Sequence, residues 1–303
     1  MRDPGGLYDL SVEIGQVPRG LHLVAGLTGF TDAGGAVSQV SQYLLDNLEM
    51  SEVVTFDTDA LLDYRARRPI MFFDEDHLSE YKPAKLSLYL AKDELGQQFL
   101  FLTGFEPDFQ WERFTAAVVQ LVQKYDVKDT TWVHAIAMPT PHTRPIGVTV
   151  SGNRLDLIDS FSIWKPRTQV PSNALHLLEY RLQQVGHPTA GFVLLVPHYL
   201  SDTEYPQAAV TALESISAAT GLIFPTDALR EENRDFIAKV EDQVHGNQEL
   251  ERLVGALEER HDSYMAENPI PSPLVDSSGE VPSADSIAAE LEKFLANRRD
   301  DDL

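Results

Sequence analysis

The 303-residue chain has no cysteine. That excludes disulfides, thiol nucleophiles, thiolate zinc sites and iron–sulfur ligation together. Long apolar runs are also missing: those at 21–27 and 192–197 fall far short of the roughly 20 residues a bilayer crossing demands. The first ten residues carry an arginine but no apolar stretch, so no signal peptide is expected and the expected compartment is the cytoplasm. Positive charge is scarce, with 24 Lys+Arg against 47 Asp+Glu and a net charge of −23. Such a surface repels phosphate backbones and anionic lipid, which argues against nucleic acid and membrane as partners. About half of the acidic excess falls after residue 225. Its simplest use is solubility.

Several catalytic signatures are absent as well. There is no Gly-x-Ser-x-Gly nucleophile elbow, no three-glycine dinucleotide fingerprint and no phosphate-cradling Gly-Lys-Ser/Thr loop. No histidine pair brackets a glutamate at helical spacing. What is present is ordinary globular composition, 43% hydrophobic and 23% charged. A chain of this length can bury enough surface to hold a core unaided.

Apolar patterning alternates between strand and helix. The run at 21–27 reads as a buried strand, followed by a Gly29–Asp32 turn. A helix follows with Ala33, Ala36, Val37, Val40, Tyr43, Leu44 and Leu48 at helical spacing, and then a strand at 53–56. That strand–helix–strand order predicts a parallel pair with a right-handed crossover. The pattern repeats through a strand at 99–103, a helix from Trp111 to Lys124 and a strand at 131–137. A third pass has a helix with Leu175, Leu178 and Leu182, a strand at 192–196, and a helix ended by Gly221. Segments 86–90 and 146–150 read as added strands, antiparallel or at an edge. The expected fold class is therefore α/β, a three-layer α/β/α sandwich around a mostly parallel mixed sheet, plus C-terminal helices. The expected divisions are a core domain at 1–225, a helical extension at 226–267, a Pro/Ser linker at 268–282, and an amphipathic helix with an acidic tail at 283–303.

In open α/β sheets, ligands bind beyond the carboxyl ends of the parallel strands. Four loops there are rich in special residues: 28–35, 104–108, 139–145 and 197–202. They supply the candidate catalytic residues Asp32, Glu106, His142, Arg144 and His198. Asp32 reads first as a helix N-cap, and Gly34-Gly35 reads as a costly pair in the first helical turn. His142 and Arg144 sit among Pro139, Pro141 and Pro145, a stiff loop suited to an anionic ligand or to a partner surface. His134, inside a strand, reads as a satisfied core histidine. His142, His198, Asp32 and Glu106 are metal-donor types without a recognised spacing, so no metal and no cofactor is expected.

These motifs together resemble the proteasome assembly chaperone 2 family in its actinobacterial-type branch. The matching residues are Gly29-Phe30-Thr31-Asp32-Ala33-Gly34, the segment from Leu102 to Trp111, Pro141-His142-Thr143-Arg144-Pro145, Val170-Pro171-Ser172 and Val196-Pro197-His198-Tyr199-Leu200. The resemblance runs from about residue 20 to 265. It implies a phosphorylase/hydrolase-like fold and self-association, for which a trimer is the expectation, with proteasome-related proteins as further partners. It brings no catalytic residues. The chain departs from the family's C-terminal docking tail, since Asp302 stands where a tyrosine would. The resulting expectation is a homo-oligomeric interaction or assembly factor without catalysis, with Phe30, Tyr43, Phe109, Trp111 and Tyr199 as interface anchors. The alternative is a small-molecule-binding hydrolase or phosphorylase-like enzyme. In that version Arg144 holds an anionic group, His142 or His198 is the acid/base, and Asp32 or Glu106 is its orienter.

Overall fold

The computed structural model describes residues 3–11 and 16–268. The linker beyond residue 268 and the final helix expected from Ser283 lie outside the described residues. Eight strands form one sheet: β1 (Tyr8–Leu10), β2 (His22–Thr28), β3 (Met50–Phe56), β6 (Leu86–Lys92), β7 (Gln98–Phe105), β8 (Asp129–Met138), β9 (Gly147–Gly152) and β10 (Thr189–Pro197). Their order across the sheet is β1-β3-β6-β7-β2-β8-β10-β9. A separate two-stranded hairpin joins β4 (Phe72–Asp74) to β5 (His77–Ser79).

The central four strands, β7-β2-β8-β10, are mutually parallel. Strand β2 is buried along nearly its whole length, as a strand covered on both faces must be. The flanking strands run antiparallel: β6 against β7, β3 against β6, and β9 at the far edge against β10. The two segments read as added strands thus fall where expected. The crossover expectation needs correction in its pairing. Strand β3 runs in the same direction as β2, yet β6 and β7 stand between them. The β6–β7 hairpin occupies the edge of β2 that β3 would have taken.

Helices cover the two faces unequally. On one face α1 (Ala36–Asn47) and α6 (Pro206–Thr220) pack together, joined by α7 (Asp227–His245). Their apolar stripe meets Val24, Val133, Phe192 and Leu194 from the strands. On the other face α3 (Trp111–Lys124) and α5 (Ala174–Gln184) pack on Leu23, Ala25, Leu100, Leu102 and Trp132. Two short helices, α2 (Thr58–Leu61) and α4 (Leu155–Phe161), sit in connections. Helix α8 (Gln248–Glu267) follows α7, packs against it and buries Val254 and Leu257.

Gly34 and Gly35 are also corrected. Both precede α1 in a left-handed conformation (φ 68° and 59°), so they carry no helix-propensity cost. A Cβ on Gly34 would stand 3.2 Å from both Tyr205 and Val196, so this turn presses directly onto its neighbours.

Candidate functional site

The four loops singled out above all follow the parallel strands, so they lie at one end of the sheet. They do not all share one hollow. Loops 28–35 and 197–202 help to line a cleft of about 880 Å³ on the face carrying α5, over strands β8, β10 and β9, while 104–108 and 139–145 stay outside it. The reason is the uneven helix cover together with strand parity. Alternate residues of β8 point the same way, so Trp132, His134 and Ile136 face α5 while Val133 and Ala135 face α1. The register carries that face across the sheet as two rows: His134 opposite Val193 opposite Thr149, and Trp132 opposite Gly191 opposite Ser151.

Gly191 lets the Trp132 indole lie across the sheet, since a Cβ there would fall 2.2 Å from the ring. Trp132 Nε1 then donates to Glu179 Oε2 at 2.8 Å, and Ser151 Oγ donates to the same oxygen at 2.7 Å. Gln183 Nε2 donates to Oε1 at 3.2 Å. Burial pushes the Glu179 carboxyl up, and the Ser151 and Trp132 hydrogen bonds work against that rise. One turn earlier on α5, His176 belongs to a capping box: its Nδ1 accepts from Asn173 N at 3.1 Å, while Asn173 Oδ1 accepts from His176 N at 2.8 Å. His134 contacts Thr31 Oγ1 through Nε2 at 3.3 Å and stacks on Phe30 with ring centroids 5.4 Å apart. Burial, with His176 nearby, pushes the His134 pKa down to about 4, and burial lowers His176 too. Both rings are therefore neutral at pH 7. His134, read above as a core histidine, is buried but lines the cleft.

The five candidates go to different tasks. Asp32 lines the cleft and caps α1, accepting from Val37 N at 2.8 Å and Ser38 N at 2.9 Å. Glu106 caps the other layer: its Oε1 accepts from Ala174 N at 2.7 Å, at the start of α5. Burial raises the Glu106 carboxyl, opposed by the Ala174 N–H and by Arg67. His142 is closed by Tyr199, whose Oη lies 2.7 Å from both its Nδ1 and its backbone N. Arg144 grips α8, with Nε and Nη2 on the two Asp262 oxygens at 2.9 and 2.7 Å and Nη1 on Glu258 at 3.3 Å. That clamp holds Asp262 well below the usual carboxylate range, at about 2. His198 is exposed and stands edge-on to Tyr199. The structure thus brings Asp32 to the cleft and leaves the other four outside its lining.

Of the anchor candidates, Phe30 lines the cleft and Tyr199 secures the 139–145 loop. Trp111 donates to the Pro107 carbonyl. Tyr43 packs against the α1–α6 core, and Phe109 is exposed. The cleft residues that sequence reading did not propose are His176, Glu179, Ser151 and Trp164. A signal for them existed in hindsight: His176 and Glu179 sit one helical turn apart, and Ser151 shares strand parity with Thr149. Among the described residues no group of three or more His, Asp or Glu gathers to hold a metal ion. No described helix is long and apolar enough to cross a membrane.

A three-layer α/β/α protein with a mixed eight-stranded sheet and a cleft beside its parallel strand ends is the class this architecture defines. The sequence pattern of the PAC2 family matches residues 26–244, and the chain belongs to that family. Among solved structures it is similar to the Mycobacterium tuberculosis unknown-function protein Rv2714. That match has 40% identity and a TM-score of 0.82, covering 88% of this chain and 93% of the other. A protein of unknown function from Corynebacterium glutamicum matches at 35% identity and TM-score 0.81, over 86% and 98%. The M. tuberculosis proteasome-assembly chaperone homologue Rv2125 shares the fold at 21% identity and TM-score 0.70, over 77% and 100%. No curated protein matches the chain.

Proposed function

We propose that this PAC2 family protein is an assembly-factor-like protein that acts through protein surfaces and self-associates, as a trimer, without catalysis. Family membership supports the reading, as does the description of Rv2125 as a proteasome-assembly chaperone homologue. The observation that carries it is the β4–β5 hairpin. Ile70 is 88% exposed, Phe72 58% and Phe73 64%, with Leu78 and Tyr81 also open. A hairpin this apolar is a docking element or an aggregation liability.

The occupant we assign is a second copy of this chain. Around the hairpin stem stand Arg65, Arg68, Lys82 and Lys85, exposed and without an ion-pair partner among the described residues. Helix α7 displays Glu231, Glu232, Asp235, Glu241 and Asp242, likewise exposed and without such a partner. The hairpin's turn, Asp74-Glu75-Asp76, is acidic and exposed, so the complement to the α7 carboxylates is the basic stem with the apolar strand residues beside it. The stem itself is held firmly. Arg67 pairs with Asp108 and donates to the Glu106 carbonyl, and Asp63 N donates to Asp108 at 2.6 Å.

Sedimentation velocity tests this reading. The intact chain should run as a trimer at micromolar concentration, and replacing residues 70–81 by a short Gly-Ser turn should yield a monomer with an unchanged melting temperature. An intact chain that is already monomeric, or an oligomer that survives the replacement, removes the proposal. Co-purification of proteasome subunits with both forms would point to a different docking surface.

A second reading, a hydrolase or phosphorylase-like enzyme, is favoured only by the cleft. Of the residues assigned to that chemistry, Asp32 alone reaches it.

A further inference from the structure

We propose that the cleft over β8, β10 and β9 binds an uncharged, flat heteroaromatic molecule, held by the ring nitrogens of His176 and His134 and sandwiched against Phe30 and Trp164. This site is separate from the hairpin and does not depend on the assembly reading.

Size and composition come first. A space of about 880 Å³ falls within the range of small-molecule pockets. Its walls are largely apolar: Ile136, Val193 and Leu195 form the floor, and Trp164, Val170 and Pro171 rise from the loop that arches over it.

Charge then narrows the ligand class. The lining contains no lysine and no arginine, while Asp32, Glu179 and Asp202 all belong to it. Arg144, the guanidinium a phosphate or carboxylate would want, is committed to Asp262 and Glu258. An anion entering here would meet carboxylates and no counter-charge. Glu179 is no hook for a cation, because its oxygens already accept from Trp132, Ser151 and Gln183.

Apart from the exposed Asp202 carboxylate at the rim, two ring nitrogens are left for recognition. His176 Nδ1 accepts the Asn173 N–H, so in the neutral ring the proton sits on Nε2. That Nε2–H has no hydrogen-bond partner among the described residues, and neither does His134 Nδ1. Both histidines line the open space. The rings stand 6.2 Å apart at 77°. One fixed donor and a second ring nitrogen, set between aromatic walls, match the edge of a neutral heteroaromatic amide.

Saturation-transfer NMR on the full chain tests this with nicotinamide and indole as neutral probes and nicotinate as the charged counterpart of nicotinamide. The neutral probes should show transfer at millimolar concentration and nicotinate should not. Val193→Trp, which fills the floor, should abolish the signal. His176→Phe, which keeps a ring but deletes the donor, should weaken nicotinamide about fivefold, the scale of one hydrogen bond, and spare indole more. Equal binding of nicotinate, absence of transfer to both neutral probes, or binding that survives a folded Val193→Trp variant would overturn the proposal. If either variant fails to fold, the comparison of nicotinamide with nicotinate on the unaltered chain still decides it. The hairpin-replaced chain should bind the probes as the intact chain does.

Discussion

His134 shows how a buried titratable side chain couples pH to the fold. Its pKa in the folded protein is about 4, below the ordinary 6.5. Between those values the unfolded chain binds a proton that the folded chain refuses. Stability therefore falls as the pH drops from about 6.5 toward 4, and levels off once the folded ring protonates. His142, His176 and His187 are shifted the same way by burial. Glu106 and Glu179 act in the opposite sense: their raised values cost stability at neutral pH, and that cost fades as the pH falls through them. The variant His134→Gln keeps a polar partner for Thr31 and removes one titration. Urea unfolding at pH 7 and pH 4.5 should show the unaltered chain losing more stability than the variant. The full difference down to pH 4 is on the order of 3 kcal/mol. Equal losses would mean that His134 is solvated in the folded state.

Among the elements, α8 is attached by polar contacts as well as by a small apolar face. It buries Val254 and Leu257, but its second half is pinned by Arg144 on Asp262 and Glu258, by Thr143 on Glu258 and by Tyr264 Oη on the Ile163 carbonyl. Three of these contacts fall on the 139–145 loop and one on Ile163, in the segment that leads to the loop lining the cleft. The prolines of the 139–145 loop thus serve as a stiff bracket for a helix. We expect Arg144→Ala to speed amide exchange across the second half of α8 and to leave the exchange of β2 and β8 unchanged, read by hydrogen-exchange mass spectrometry. Because the clamp depresses Asp262 to about 2, its contribution persists above the ordinary carboxylate range and disappears only as the pH approaches 2. The 104–110 loop has a parallel duty, with Glu106 capping α5 and Asp108 gripping the hairpin stem.

For the whole molecule, the one-sided charge becomes an argument about association. A net charge of −23 should keep copies apart unless a local patch of opposite sign brings them together. The four cations at the hairpin stem supply such a local attraction, set apart from the acidic turn at Asp74, Glu75 and Asp76. Self-association should therefore weaken with added salt, since exposed charges are screened over about 10 Å at 0.1 M. The double variant Arg68→Glu, Lys82→Glu should shift the sedimenting species toward monomer at low salt. Salt-independent association would place the attraction in the apolar residues Ile70, Phe72, Phe73 and Leu78 alone. The same charge distribution keeps phosphates away from the cleft, so hairpin and cleft select different kinds of partner.

The sequence by itself determined the layered architecture. Apolar runs such as 21–27 and stripes such as Phe114, Ala117, Val118 and Leu121 report burial directly, because helix and strand periods differ. It also determined the cap at Asp32 and the shared end of the sheet for the four loops, since parallel strands place their following loops together. Only the tertiary structure decided that two strands separate β3 from β2, because a hairpin formed later in the chain competes for the same edge. Only it decided that Glu106, His142 and Arg144 are engaged in capping and clamping, since their partners Ala174, Tyr199 and Asp262 are distant in sequence. The cleft was illegible for the same reason. His134, Ser151, His176 and Glu179 look unremarkable along the chain, and strand register, helix placement and a glycine beneath Trp132 bring them to one face.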